Sequence, residues 1–93
     1  MSNNIDNDFI VDALTRYGKH LLDVKTSLEK SISNYDFQIR ELENIAERYP
    51  ERYLIRLEEL ATKKTEAKTK LAPILEKIAK IPEQISILER SNL

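Results

Sequence analysis

Cysteine and tryptophan are absent from this 93-residue chain, which also holds one glycine, Gly18, and three prolines. Without cysteine there is no disulfide, no thiolate nucleophile and no Cys-type zinc site, and the redox compartment is left open. One glycine is too few for a sheet protein with many turns. No stretch approaches the roughly 18 uninterrupted apolar residues of a membrane span. The N-terminus, Met1 to Asp8, is polar and acidic, unlike a signal or transit peptide. The default expectation is an intracellular, cytoplasmic protein, with a nuclear location also open.

Charge of one sign is lacking too. The net charge is −1. Residues 1–49 carry six basic and nine acidic side chains, and residues 50–93 carry nine basic and seven acidic. Halves of opposite sign attract weakly if folded side by side. They argue against a strongly positive nucleic-acid-binding face.

Catalytic groupings are missing as well. His20 is the lone histidine, so no second histidine stands at ligand spacing. Glu43 and Glu47 stand four apart, but no Glu-x-x-His accompanies them as in di-iron bundles. There is no Gly-rich phosphate loop, nucleophile elbow or metalloprotease motif. The expectation is a non-enzyme without metal or cofactor.

What the chain has is amphipathic helix. Charged residues make up 33% of it, and Ala, Glu, Lys, Leu, Ile and Arg dominate, a helix-rich composition. From Pro50 to Leu88 one stripe runs Tyr53, Leu57, Leu60, Lys64, Ala67, Leu71, Ile74, Ile78, Ile81, Ile85, Leu88. Its spacing alternates 4 and 3 without a slip, the mark of a heptad seam that must lie along another helix. Lys64 is its only polar member and reads as a register device, its stem packed and its ammonium reaching out.

A second stripe precedes it: Ile10, Leu14, Tyr17, Leu21, Val24, Leu28, Ile32, Tyr35, Ile39, Leu42, Ala46, Tyr49. Two successive steps of four, Val24 to Leu28 to Ile32, form a stutter that locally unwinds a supercoil. Ser27, Ser31, Ser33 and Asn34 fall there and weaken the helix.

The fold expected is all-α: an antiparallel, coiled-coil-like hairpin. A disordered tail occupies residues 1–7, with Asp6, Asn7 or Asp8 as N-cap. Residues 8–91 form a single domain. Arm one covers about 8–48, a turn at 49–50 follows Tyr49–Pro50, and arm two covers about 51–90. Folding there sets Leu57 against Leu42, Leu60 against Ile39, Lys64 against Tyr35, Ile81 against Tyr17 and Leu88 against Ile10. Pro73 and Pro82 interrupt arm two without disturbing its phase, so kinks are expected, with a division into 51–72 and 73–90 as the extreme. Pairs four apart (Asp12–Arg16, Asp36–Arg40, Glu59–Lys63, Glu66–Lys70, Glu76–Lys80) add about 0.3 kcal/mol each.

Leu54, Ala61, Leu75 and Pro82 widen the second stripe, and Val11, Leu22 and Ile45 the first. Such width belongs to bundles of more than two helices. It points to a dimeric four-helix bundle or a hetero-complex. The function expected is a protein–protein interaction module: a small helical subunit, adaptor, chaperone or inhibitor whose partner is another protein or itself. Phe37, Leu22, Leu54 and Leu75 are the candidate partner contacts. The lesser alternative is a nucleic-acid accessory protein using segment 62–70, with Lys63, Lys68 and Lys70 on phosphates.

Overall fold

Apolar positions repeating every 3 and 4 residues place one stripe on one side of a helix, and both stripes find a home in the same way. In the computed structural model the backbone is described for residues 2–91, and the side chains for residues 7–49 and 51–90. Two helices, α1 (Ser2–Ala46) and α2 (Pro50–Ser91), form a hairpin. The tail and N-cap expected near the start lie partly outside the described residues; α1 opens at Ser2, so Asn7 and Asp8 sit within it.

The reversal occupies Glu47 to Tyr49. Ile45 O accepts bonds from Arg48 N at 3.0 Å and Tyr49 N at 3.2 Å, a tightened last turn that satisfies a terminal carbonyl. Tyr49 O accepts from Arg52 N at 3.2 Å. Pro50 thus stands at the first helical position, where its missing N–H would have had no partner anyway. No described residue has positive φ, so the turn closes without the glycine this sequence lacks. Glu51 in the first turn of α2 and Arg90 in its last complement the helix dipole.

α1 runs unbroken through Ser31 to Asn34, as a single arm over about 8–48 requires. Its packed face departs from the sequence reading. Its buried or half-buried positions are Asn7, Val11, Leu14, Gly18, Leu21, Val24, Lys25, Leu28, Ser31, Ile32, Tyr35, Asp36, Ile39, Leu42 and Ala46. Twelve of these alternate 4 and 3 from Asn7 to Ala46, and Val24, Ser31 and Asp36 each adjoin a member of that series. Ile10 and Tyr17, expected in the seam, are 42% and 43% exposed. Each precedes by one residue the position that turns inward, Val11 or Gly18. Val24, one before Lys25, is half-buried.

In α2 every seam position from Tyr53 to Leu88 is buried or half-buried. The helix is assigned continuously through Pro73 and Pro82. Each proline removes one i→i−4 bond and costs on the order of 3 kcal/mol in a helix interior, so packing holds this arm. Thr15, Thr65 and Thr69 return their hydroxyls to the carbonyls of Val11, Ala61 and Thr65 at 2.9, 3.0 and 2.9 Å. That bonding keeps β-branched polar residues compatible with helix interiors.

The chain divides into two units, one of residues 1–25 with 73–93, the other of residues 26–72. In the first, Leu21 and Ile81 are buried, at 2% and 7% exposure. A Cβ on Gly18 would stand 3.4 Å from Ile81 Cδ1, so Ile81 packs against Gly18. Asn7 Nδ2 reaches Leu88 O at 3.5 Å. In the second, Leu60 and Ala67 are buried, at 1% and 7%.

Candidate interaction surface

The cross-helix charge pair lies in the second unit. Lys64, at a seam position, directs its ammonium to the Asp36 carboxylate. The expected neighbour of Lys64 was Tyr35; the residue after it supplies the charge. Their side chains are 28% and 37% exposed. The hydrogen bond from Lys64 is the main cause holding the Asp36 carboxyl below its ordinary value of 3.8. Partial desolvation opposes this, and the charges of Lys64, Arg40 and Lys68 add to it. Asp36 therefore turns to the other helix instead of closing the expected pair with Arg40.

Of the remaining pairs four apart, Asp12–Arg16 closes at 2.6 Å. Glu59 is taken by Arg56 at 3.3 Å, three residues back, and not by Lys63. Glu66–Lys70 and Glu76–Lys80 form no ion pair among the described residues. All of these groups are exposed, where water competes for each charge and little stability depends on the outcome.

The basic segment 62–70 does not present one surface. Lys63 and Lys70, seven apart, line a depression of about 280 Å³ with Leu28, Ser31, Tyr35, Glu66 and Ala67. Lys68 instead acts on Asp36. Glu66 brings a negative charge to the same depression as the two lysines, which weakens it as a phosphate cradle. Comparisons with family models, with curated proteins and with solved structures found no match. What the surface can do must therefore be read from its own side chains.

Several of those side chains are large and apolar. Phe37 is 62% exposed, Leu22 48%, Leu54 54% and Leu75 43%, so all four candidate partner contacts face outward. Phe9, Ile55 and Ile87 are exposed further, at 74%, 70% and 58%, and Ile45 and Tyr49 join them. His20, Glu43 and Glu47 are exposed as well. Among the described residues no three histidine or acidic side chains gather, and no polar side chain is buried. No helix among them is long and apolar enough to cross a membrane.

Three seam members escaped the sequence reading: Asn7, Gly18 and Lys25. Hydrophobicity gives no hint of them. The signal that finds them is the 4–3 spacing itself, carried backward from Leu28 toward the N-terminus.

Proposed function

We propose that this chain is a protein–protein interaction module, a small helical subunit, adaptor, chaperone or inhibitor, working through the apolar faces of its hairpin. One observation carries the reading. The only hydrophobic side chains buried among the described residues are Leu21, Leu60, Ala67 and Ile81, while eleven large ones are exposed. Exposed apolar side chains that outnumber the buried ones support this reading. Self-association into a four-helix bundle accounts for the width of both stripes, and kinks at Pro73 and Pro82 would fit arm two to such a bundle.

Affinity capture of the intact chain from its native host, read by mass spectrometry, tests the reading when run beside Phe37→Asp and Leu54→Asp. Both positions are exposed, so helicity by circular dichroism should be unchanged. A partner held by the parent chain and released by at least one variant supports the module. Recovery of the same proteins, in the same amounts, by all three chains refutes it.

A further inference from the structure

We infer that the outer side of α1 is a second seam, and that its occupant is a second copy of this chain running antiparallel to the first. The inference rests on the reading of the chain as an interaction module and gives it a partner and a register.

Ile10, Ala13, Tyr17, His20 and Val24 follow one another at spacings of 3, 4, 3 and 4. They form a heptad stripe parallel to the inner one and displaced from it by a single residue: Ile10 beside Val11, Tyr17 beside Gly18, Val24 beside Lys25. In a chain with 33% charged residues this stripe carries no formal charge when His20 is neutral. Ile10 and Tyr17 are 42% and 43% exposed, Ala13 and His20 are exposed, and Val24 is half-buried. Two seams on one helix are what a hairpin needs in order to enter a larger bundle.

The charges beside the stripe choose the occupant. Along its outer flank, every seven residues, stand Phe9, Arg16, Asp23 and Lys30. Flanking positions of this kind set partner and orientation in coiled coils. Lay a second copy antiparallel so that Ala13 meets Val24 of the second copy and Tyr17 meets His20 of the second copy. The two-fold axis then passes between Gly18 and Lys19, with Ala13 facing the larger Val24 and the rings of Tyr17 and His20 facing each other. In that register Arg16 stands across from Asp23 of the second copy, and symmetry repeats the pair. A parallel alignment stacks each residue on itself and makes no such pair. Among the described residues Arg16 pairs with Asp12, their side chains 79% and 56% exposed, so it is available to turn.

The area agrees. The chain exposes 7391 Å², whereas a folded monomer of 10.9 kDa typically exposes about 5,600 Å². The surplus exceeds the roughly 800 Å² that each partner contributes to a standard interface.

Sedimentation equilibrium of the full chain across the micromolar range tests this, with circular dichroism monitoring helicity. A dimer is expected. Tyr17→Glu should weaken it about tenfold or more by placing a charge in the seam. Arg16→Asp should weaken it several-fold, and adding Asp23→Arg to that variant should restore it. If Tyr17→Glu loses helicity, the two fully exposed charge variants still decide. A dimer indifferent to all three variants overturns the inference. So does a monomer at every concentration: if that monomer still captures a protein through Phe37 or Leu54, only self-docking falls, and if it captures nothing, the interaction module falls with it.

Discussion

Gly18→Ala should make the protein more stable, although Gly18 sits in the packed seam where glycine usually marks a close approach. Gly18 has no positive φ, so its backbone is open to any residue. An added Cβ would meet Ile81 Cδ1 at 3.4 Å and Ile81 Cγ2 at 3.7 Å, ordinary van der Waals contact with the ends of one side chain. Against that mild crowding stands the cost of glycine inside a helix, about 1 kcal/mol relative to alanine. The alanine methyl also buries apolar area beside Ile81. The expected net gain is about 0.5–1 kcal/mol, from a less flexible unfolded chain as much as from packing.

For a domain of this size such a gain raises Tm by roughly 4–8 °C per kcal/mol. Thermal and urea unfolding followed by circular dichroism would read it, at fixed chain concentration because association also shifts Tm. Gly18→Leu is the control. Its further atoms run into Ile81 and should destabilise by about 1–3 kcal/mol through overpacking. A lower Tm for Gly18→Ala would mean that the helices approach more closely at Ile81 than the geometry allows. The argument for this level of the seam would then fail.

Leu60→Ala should cost about 3 kcal/mol, since Leu60 is 1% exposed and its loss leaves a cavity. Leu54→Ala, one turn and a half earlier on the same helix, should stay within about 0.5 kcal/mol of the parent; equal effects at both positions would contradict the phase of α2. Because its folded pKa is depressed, Asp36 adds stability that is complete above its unfolded value and is lost as pH falls through the lower, folded one. Thermal melts of Asp36→Asn should therefore lie below the parent at neutral pH and converge with it in acid; parallel curves down to the lowest pH would show that the Lys64 bond contributes nothing. Lys25→Ile, filling a half-buried seam position among the described residues, should raise Tm by the equivalent of about 1 kcal/mol, and a fall would mean that Lys25 holds a partner rather than a gap.

The hairpin was legible because its breaker was unambiguous. Pro50 can stand at a first helical position but not inside a helix, and it divides the chain into nearly equal arms. The α2 seam was legible because ten of its eleven members are apolar or aromatic, with Lys64 alone interrupting a perfect spacing. The α1 seam was misread for the converse reason. Ile10 and Tyr17 are more hydrophobic than Val11 and Gly18 taken as a set, so a reading by hydrophobicity places them in the seam, where they are 42% and 43% exposed; Val24, also read into the seam, is half-buried like Lys25. The ion pair of Lys64 with Asp36 was not legible at all. Helical spacing pointed Asp36 at Arg40, and only the facing helix supplies the competing cation.

The misreading and the proposed interaction surface have one origin. Successive residues of an α-helix lie about 100° apart around its axis, and α1 carries a second seven-residue repeat, Ile10, Tyr17 and Val24, one residue before Val11, Gly18 and Lys25. The column that turned inward includes glycine and lysine, while its richer neighbour, with Ile10 and Tyr17, was left outside. Burial of the richer column against α2 would have stabilised an isolated hairpin more, at about 25 cal/mol per Å² of apolar surface. A sequence selected only for a stable pair of helices has no reason to forgo that gain. One that must also bind along α1 has such a reason, because apolar side chains buried in the first seam cannot serve the second. The placement of Ile10 and Tyr17 outside, and of Gly18 and Lys25 inside, therefore argues for a covering partner more strongly than the exposed area does alone.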